Sequence, residues 1–316
     1  MRTVPHLTPG DTIGIVSPSS PSTFDSDIER LRLWADAQGF RLKVFPHARD
    51  RWGYLAGSDH DRAADLTAAF ADPEVQAVLT MRGGTGGWRM VPHVDYDVLR
   101  ANPKFFCGYS DTTALHLAIA KEAGFVTFYG PAGSSFIGRS RSTYTLRHFL
   151  RALTEPEPLG LVERDPDDPF TWAIRPGVAE GPLLGGCTTL LLASLGTPWE
   201  VDFRGAIVFF EDIGEEPYRM DNYLTQFGLA GKWDGIAGVI VGEHVDCGPR
   251  QFRPSYPTSG FSIEEVFVQH FEPLGVPVMV GLPCGHGRHL ATLPLGARAR
   301  LDAGAGTLEI LEAATT

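Results

Sequence analysis

Over roughly the first 130 residues, short apolar runs alternate with amphipathic stretches, and this alternation leaves few folds open to the chain. Residues 11–19 (Asp-Thr-Ile-Gly-Ile-Val-Ser-Pro-Ser) read as a buried strand that runs into a loop of small residues. Residues 25–38 follow with Ile28, Leu31, Trp34 and Ala35 at helical spacing and stop at Gly39; residues 41–45 are a second strand. A helix over 58–70 with Ser58 as its N-cap, a strand over 77–81, a helical stretch at 94–100, a strand and helix over 105–120 and a strand at 126–129 continue the pattern. Strands and helices in strict alternation predict a parallel sheet covered on both faces. Ligands of such sheets bind at the carboxyl ends of the strands, where Ser17, Gly83, Gly84 and Ser110 all fall.

The rest of the chain is organised differently. At 316 residues with 43% apolar content, it is long enough for two cores. Between Gly133 and Glu180 the texture shifts to Pro156, Pro158, Pro166, Pro169 and Pro176 around an acidic patch at 163–168, with helical spacing only over 144–153. The expected division is an α/β domain at 1–135, a linker at 136–180 and a second domain at 181–316. The second domain reads as strands at 206–210, 238–241 and 276–280 with helices at 188–195, 219–228 and 262–271, the last opened by a Ser262/Glu265 capping box. A terminal hairpin at 297–302 and 307–311 closes it. A net charge of −11 argues against nucleic acid and anionic membrane partners. The sequence offers neither a transmembrane-length apolar run nor a signal-peptide pattern, so a cytoplasmic protein is expected. Cys107, Cys187, Cys247 and Cys284 lack paired spacing and read as reduced, buried residues.

Chemistry is expected first at residues 105–120, where an apolar strand stops at Gly108-Tyr109-Ser110-Asp111 and a helix begins at once. A serine at such a corner lies beside helix N–H groups that lack intrahelical acceptors, which suits a nucleophile. The same residues also suit a plain helix cap, and the turn alone does not choose between the two. The cluster Arg82-Gly83-Gly84-Thr85-Gly86-Gly87 follows a strand but has neither nucleotide-loop spacing nor a good helix directly after it. It suits a loop that brings backbone N–H groups to a ligand, or a simple turn. A serine nucleophile needs a base, for which His244, His286 and His289 follow predicted strands; an orienting acid stands at Glu211, after the apolar run 206–210. A rival grouping of Glu243, His244, Asp246, Cys247, Cys284, His286 and His289 as metal ligands has no organising motif, and neither metal nor cofactor is expected.

Taken together, these pieces resemble the LD-carboxypeptidase family of serine peptidases, which includes muramoyltetrapeptide carboxypeptidases and microcin C self-immunity proteins. The resemblance rests on Gly14-Ile15-Val16-Ser17-Pro18, Tyr54-Leu55-Ala56-Gly57-Ser58-Asp59, Arg62-Ala63-Ala64-Asp65-Leu66, Arg82-Gly83-Gly84-Thr85-Gly86, Gly108-Tyr109-Ser110-Asp111 and Phe128-Tyr129-Gly130-Pro131. It continues through Phe210-Glu211-Asp212, Pro217-Tyr218-Arg219-Met220-Asp221 and Gly285-His286 ahead of Thr292-Leu293-Pro294-Leu295-Gly296. The resemblance implies a flavodoxin-like N-terminal domain and a β-rich, swivelling C-terminal domain. It implies a Ser110–Glu211–His286 triad assembled across their interface, with Gly84 and Asp111 as backbone oxyanion donors. It also implies a peptide substrate, a muropeptide tetrapeptide that loses terminal D-Ala in cell-wall recycling, and a homodimer. The substrate's free carboxylate calls for a cation, with Arg82 preferred over Arg139 and Arg219, and Ser17 and Thr85 stand as further substrate contacts. Two departures, Cys187 after Gly185-Gly186 and Thr85 in place of an aromatic, bear on the substrate and leave the triad untouched. The short 217–221 loop favours muropeptides over microcin-like acyl-sulfamoyl adenylates. A non-catalytic, two-lobed small-molecule binder is the alternative of another class.

Overall fold

The computed structural model describes residues 1–137, 142–168, 170–248 and 260–316. The chain falls into two compact units, Met1–Leu159 with Leu290–Ala297 and Glu312–Thr316, and Gly160–His289 with Arg298–Leu311.

The first unit opens with the expected alternation. Strands β1 (Thr12–Val16), β2 (Arg41–Val44), β3 (Ala77–Thr80), β4 (Phe105–Gly108) and β5 (Thr127–Tyr129) alternate with helices α1 (Asp27–Ala37), α2 (Asp59–Ala71), α3 (Gly87–Met90), α4 (Tyr96–Ala101), α5 (Thr113–Glu122) and α6 (Thr143–Thr154). Every residue of β1, β3 and β4 is buried, as a parallel sheet sandwiched between helices requires. Ser58 caps α2 by accepting the Asp61 N–H, and Gly39 takes a left-handed φ of 83° just past α1. The short α3 departs from the reading of the glycine cluster, since a helix does begin at Gly87, directly after Gly86 turns at φ 123°. Behind the sheet, Trp34 stacks on Phe136 at 4.1 Å and Phe105 on Phe128 at 4.0 Å.

The second unit holds β6 (Gly160–Leu161), β7 (Trp172–Arg175), β8 (Val178–Cys187), β9 (Ile207–Ile213), β10 (Gly238–Val245) and β11 (Val278–Val280), with α7 (Thr188–Leu192), α8 (Pro217–Leu229) and α9 (Ile263–Phe271). The chain then returns to the first unit for β12 (Leu293–Leu295) and goes back to the second for the hairpin β13 (Arg298–Asp302) and β14 (Thr307–Ile310). The proline-rich 136–180 stretch therefore supplies α6 to one unit and β6, β7 and the start of β8 to the other.

The first sheet runs β2-β1-β3-β4-β5-β12, with β1 to β5 parallel and β12 antiparallel on the β5 edge. That is a flavodoxin-like strand order with one added edge. The second sheet runs β6-β14-β13-β8-β9-β10-β11-β7, parallel from β8 to β11 and antiparallel at both flanks. The α/β class with a β-rich second unit is as expected from the sequence. In that second unit, Phe227 of α8 and Phe271 of α9 pack on Phe210 of β9, with Phe203 and Trp233 from the connecting loops completing an aromatic cluster. Several boundaries differ from the reading: α8 starts at Pro217, so 217–221, expected as a short loop, is helical, and β10 runs to Val245, four residues past the expected end. β9 runs three residues beyond Phe210, because Glu211 still pairs with Cys187 of β8 and Asp212 with His244 of β10.

Candidate active site

In the first unit, β4 ends at Gly108 and Ser110 opens a tight turn that continues into α5. Ser110 adopts φ 62°; among the described residues, Asp246 is the other non-glycine residue with a positive φ. A serine held there stores about 1–2 kcal/mol of backbone strain, and the surroundings enforce it. Its N–H donates to the Tyr129 hydroxyl at 3.0 Å, and the Thr113 hydroxyl donates to its carbonyl at 2.7 Å. Gly108 has to lack a side chain, since a Cβ would lie 2.3 Å from Thr80 Oγ1. Gly83 has to lack one too, because its Cβ would come within 2.8 Å of the Ser110 Cβ and 3.0 Å of its Oγ. The glycine cluster after β3 is thus pressed against the serine at the carboxyl end of the sheet.

Asp111 does more than its sequence position suggests. Its buried carboxylate accepts the Ser19 hydroxyl and the Gly87 N–H, each at 2.6 Å, and so ties together the loops that follow β1, β3 and β4. Burial raises its pKa, and those two hydrogen bonds oppose the rise. Arg62 of α2 braces the same loops from beneath. Its side chain, 0% exposed, donates to the carbonyls of Pro18 and Gly86 and pairs with Asp59, which also holds Arg89. Arg62 carried no assigned role in the sequence; its trace there is an arginine on the buried face of a helix that also carries Leu66, Ala69 and Phe70.

In the second unit, Glu211 of β9 is 0% exposed, and its Oε2 lies 2.7 Å from His286 Nδ1. The Thr188 hydroxyl fixes the Glu211 backbone by donating to its carbonyl at 3.1 Å. Burial works against a charged imidazole at His286, but the Glu211 carboxylate, together with Asp212 and Glu243, outweighs it and the histidine pKa is raised. Gly285, at φ 133°, lets the loop pass close to Glu211, where a Cβ would sit 2.7 Å from Oε2. Asp212 is occupied elsewhere, accepting from the N–H groups of Thr189 and Ile213 at 3.0 and 2.9 Å; burial and the neighbouring Glu211 push its pKa to about 6.

The other two loop histidines have different neighbours. His244 is packed on Phe267 with Nδ1 at 3.1 Å from the Gly242 carbonyl, and burial pulls its pKa down to about 4. His289 sits 2.9 Å from Asp167. All four cysteines are buried, and among the described residues no three or more His, Cys, Asp or Glu side chains are grouped as a metal site.

The residues expected to touch substrate are placed unevenly. Arg82 bonds neutral oxygens, Thr23 Oγ1 at 3.0 Å and the Pro21 carbonyl at 3.4 Å. The Thr85 N–H donates to Ser20 Oγ at 3.2 Å, and Gly84, at φ 119°, lies against the same serine. The Ser17 hydroxyl is buried and donates to the Ala48 carbonyl at 2.8 Å. Arg219 is ion-paired with Glu215 and bonded to the Tyr223 hydroxyl at 2.8 Å. Arg139 lies outside the described residues.

The chain matches known proteins over most of its length. The model of the LD-carboxypeptidase N-terminal domain matches residues 13–130, and that of the LD-carboxypeptidase C-terminal domain matches residues 180–301. The chain is 36% identical to a Bacillus subtilis protein named "Probable murein peptide carboxypeptidase", across 94% of this chain and 90% of that one. It is 28% identical to the microcin C7 self-immunity protein MccF of Escherichia coli, across 94% and 92% of the two chains. The crystal structure of muramoyltetrapeptide carboxypeptidase from Oxalobacter formigenes superposes with a TM-score of 0.83 at 31% identity, covering 96% of this chain and 100% of that one. No described helix is long and apolar enough to cross a membrane. By both domain models and by relatives matched over nearly their full length, the chain belongs to the LD-carboxypeptidase family.

Proposed function

We propose that this carboxypeptidase-family chain is a serine enzyme that cleaves an L,D-peptide bond and releases terminal D-Ala from muropeptide tetrapeptides during cell-wall recycling. The observation that carries the reading is the 2.7 Å contact between His286 Nδ1 and the fully buried Glu211. With Nδ1 donating to the carboxylate, Nε2 is the nitrogen that takes and returns a proton.

Ser110 Oγ attacks the scissile carbonyl carbon as His286 removes its proton, and Glu211 stabilises the resulting imidazolium. The backbone N–H groups of Gly84 and Asp111 hold the oxyanion. The strained turn at Ser110 and the glycines packed on it support this, because they let backbone donors approach the reacting carbon. Collapse of the tetrahedral intermediate breaks the C–N bond, and the imidazolium proton goes to the departing D-Ala amine. Water, deprotonated by His286, then hydrolyses the acyl-enzyme and restores Ser110.

Arg82 is the proposed partner of the substrate's terminal carboxylate, since it contacts neutral oxygens whereas Arg219 is already paired with Glu215. Thr85 lines the same loop. The reading also includes a cytoplasmic homodimer, for which light scattering after size exclusion is the direct test.

The functional test is incubation with L-Ala-γ-D-Glu-meso-diaminopimelate-D-Ala, followed by mass spectrometry for free D-Ala. Release by the wild type that survives EDTA and disappears in Ser110→Ala is expected. Absence of release, or equal release by the variant, overturns the proposal. An acyl-sulfamoyl adenylate run in parallel separates muropeptide from microcin-type cleavage, and binding without turnover of either points to a non-catalytic binder.

A further inference from the structure

Beyond the three residues just assigned, a second carboxylate is built into the support of His286. β10 breaks register against β9 between Val241 and His244, and Glu243 sits in that bulge. From there it grips the histidine's loop at two points. The Glu243 backbone N–H donates to the Cys284 carbonyl at 2.9 Å, and its Oε2 accepts the Gly287 N–H at 3.1 Å. These contacts bracket the four residues Cys284 to Gly287, with His286 inside. The fit tolerates no side chain at position 287, where a Cβ would fall 1.7 Å from Glu243 Oε1. At Gly285 a Cβ would meet Glu211 Oε2 at 2.7 Å and the Glu243 carbonyl at 3.1 Å. The histidine's backbone is therefore lodged between two glutamates, Glu211 from β9 and Glu243 from the bulge.

We propose that Glu243 is a positioning residue for His286: it clamps both ends of the loop that carries the imidazole, and its carboxyl group sets how readily that imidazole takes a proton. The proposal rests on the assignment of His286 as the base. The groups facing this carboxyl are Asp165 from the segment before β7, Glu211 from β9, and His286 and Cys284 from the loop itself. Burial, with repulsion from Asp165 and Glu211, raises the Glu243 carboxyl to about 7, against the pull of the Gly287 N–H and of His286. Glu243 and His286 each favour the other's charged form, and Asp212, which burial and Glu211 raise to about 6, faces the same imidazole.

The clamp and the charge separate in two variants of the full chain. Glu243→Gln keeps an oxygen for the Gly287 N–H and removes the charge; Glu243→Ala removes both and leaves only the backbone contact to Cys284, so it tests the Gly287 end of the clamp. D-Ala release from the tetrapeptide gives kcat and KM from pH 5.5 to 9, and ¹³Cε1 NMR follows the His286 titration, assigned by its loss in His286→Asn. For Glu243→Ala, kcat is expected to fall about tenfold on the pH plateau with KM within about twofold, and its acid limb to shift as in Glu243→Gln. Glu243→Gln is expected to recover most of that loss, while its acid limb and the His286 midpoint both move down by about half a pH unit. An unmoved His286 midpoint in Glu243→Gln overturns the electrostatic part. Wild-type kcat in Glu243→Ala, or a loss in Glu243→Gln equal to that in Glu243→Ala, overturns the clamp. If the wild type releases no D-Ala, the catalytic assignment fails by itself, and the NMR midpoint still decides whether Glu243 tunes His286.

Discussion

At the scale of single residues, the chain accepts local strain where its proposed chemistry lies. Ser110 keeps a left-handed backbone that glycine would adopt without cost, and its neighbours hold it there. Ser110→Gly and Ser110→Ala both delete the hydroxyl, so comparing them isolates the strain. Ser110→Gly should be the more stable by about 1 kcal/mol in urea unfolding, with both variants inactive. Equal stability would mean that the turn is not strained. The corner stands out in the sequence because Gly-Tyr-Ser-Asp lies between a strand and a helix, and Glu211 because an acid follows an apolar run; His286 is one of three loop histidines and is singled out there only by the family resemblance. Glu243 enters the sequence reading only as a member of the rival metal grouping, since its aim depends on a bulge that no residue pattern announces. Asp111 was read for its backbone N–H, whereas its carboxylate proves to be the knot between three loops.

At the scale of elements, β4, β5 and α5 are locked behind the turn by His116. It is buried, with Nδ1 at 2.9 Å from Thr127 Oγ1 and Nε2 at 2.9 Å from the Gly108 carbonyl, the last residue of β4. Burial lowers its pKa to about 4. The unfolded chain therefore binds a proton near pH 6.5 that the folded chain refuses until about 4. Its contribution is fully present above pH 6.5 and is lost as pH falls toward 4, at up to about 1.4 kcal/mol per pH unit. His116→Gln, which keeps a polar side chain without the titration, should flatten the decline in urea-unfolding free energy between pH 6.5 and 4.5, although it lowers stability at pH 7.5. An unchanged slope would assign the acid sensitivity to other groups, His244 first. Periodicity located these elements well, because strands buried on both faces and capped amphipathic helices leave strong patterns. It placed the end of β9 three residues short, since an apolar count stops at the first acid even where the backbone ladder continues.

At the scale of the whole molecule, the chain passes between its two units at 159/160, 289/290, 297/298 and 311/312. The first sheet is therefore finished by β12, a Leu-Pro-Leu strand that pairs with β5 across a sequence separation of 164 at Leu293↔Tyr129. Neither this pairing nor the return of residues 312–316 was legible, because three residues around a proline read as loop and registry over that distance leaves no local trace. A fragment of residues 1–159 lacks the cover on β5 and should be less stable than the same unit in the full chain, or should aggregate through that bare edge. Adding a peptide of residues 290–297 should restore part of the loss, as read by hydrogen exchange at residues 127–129. A fragment as stable as the full chain would make β12 dispensable.

The same threading matters while the protein is being made. A ribosome delivers residues 1–159 first, but the strand that closes their sheet emerges only after residues 160–289 have been translated. At 5–20 residues per second, that delay is roughly 6 to 26 s. For that interval the nascent α/β half carries an open β5 edge, and its final closure has to wait until nearly all of the second half has been synthesised.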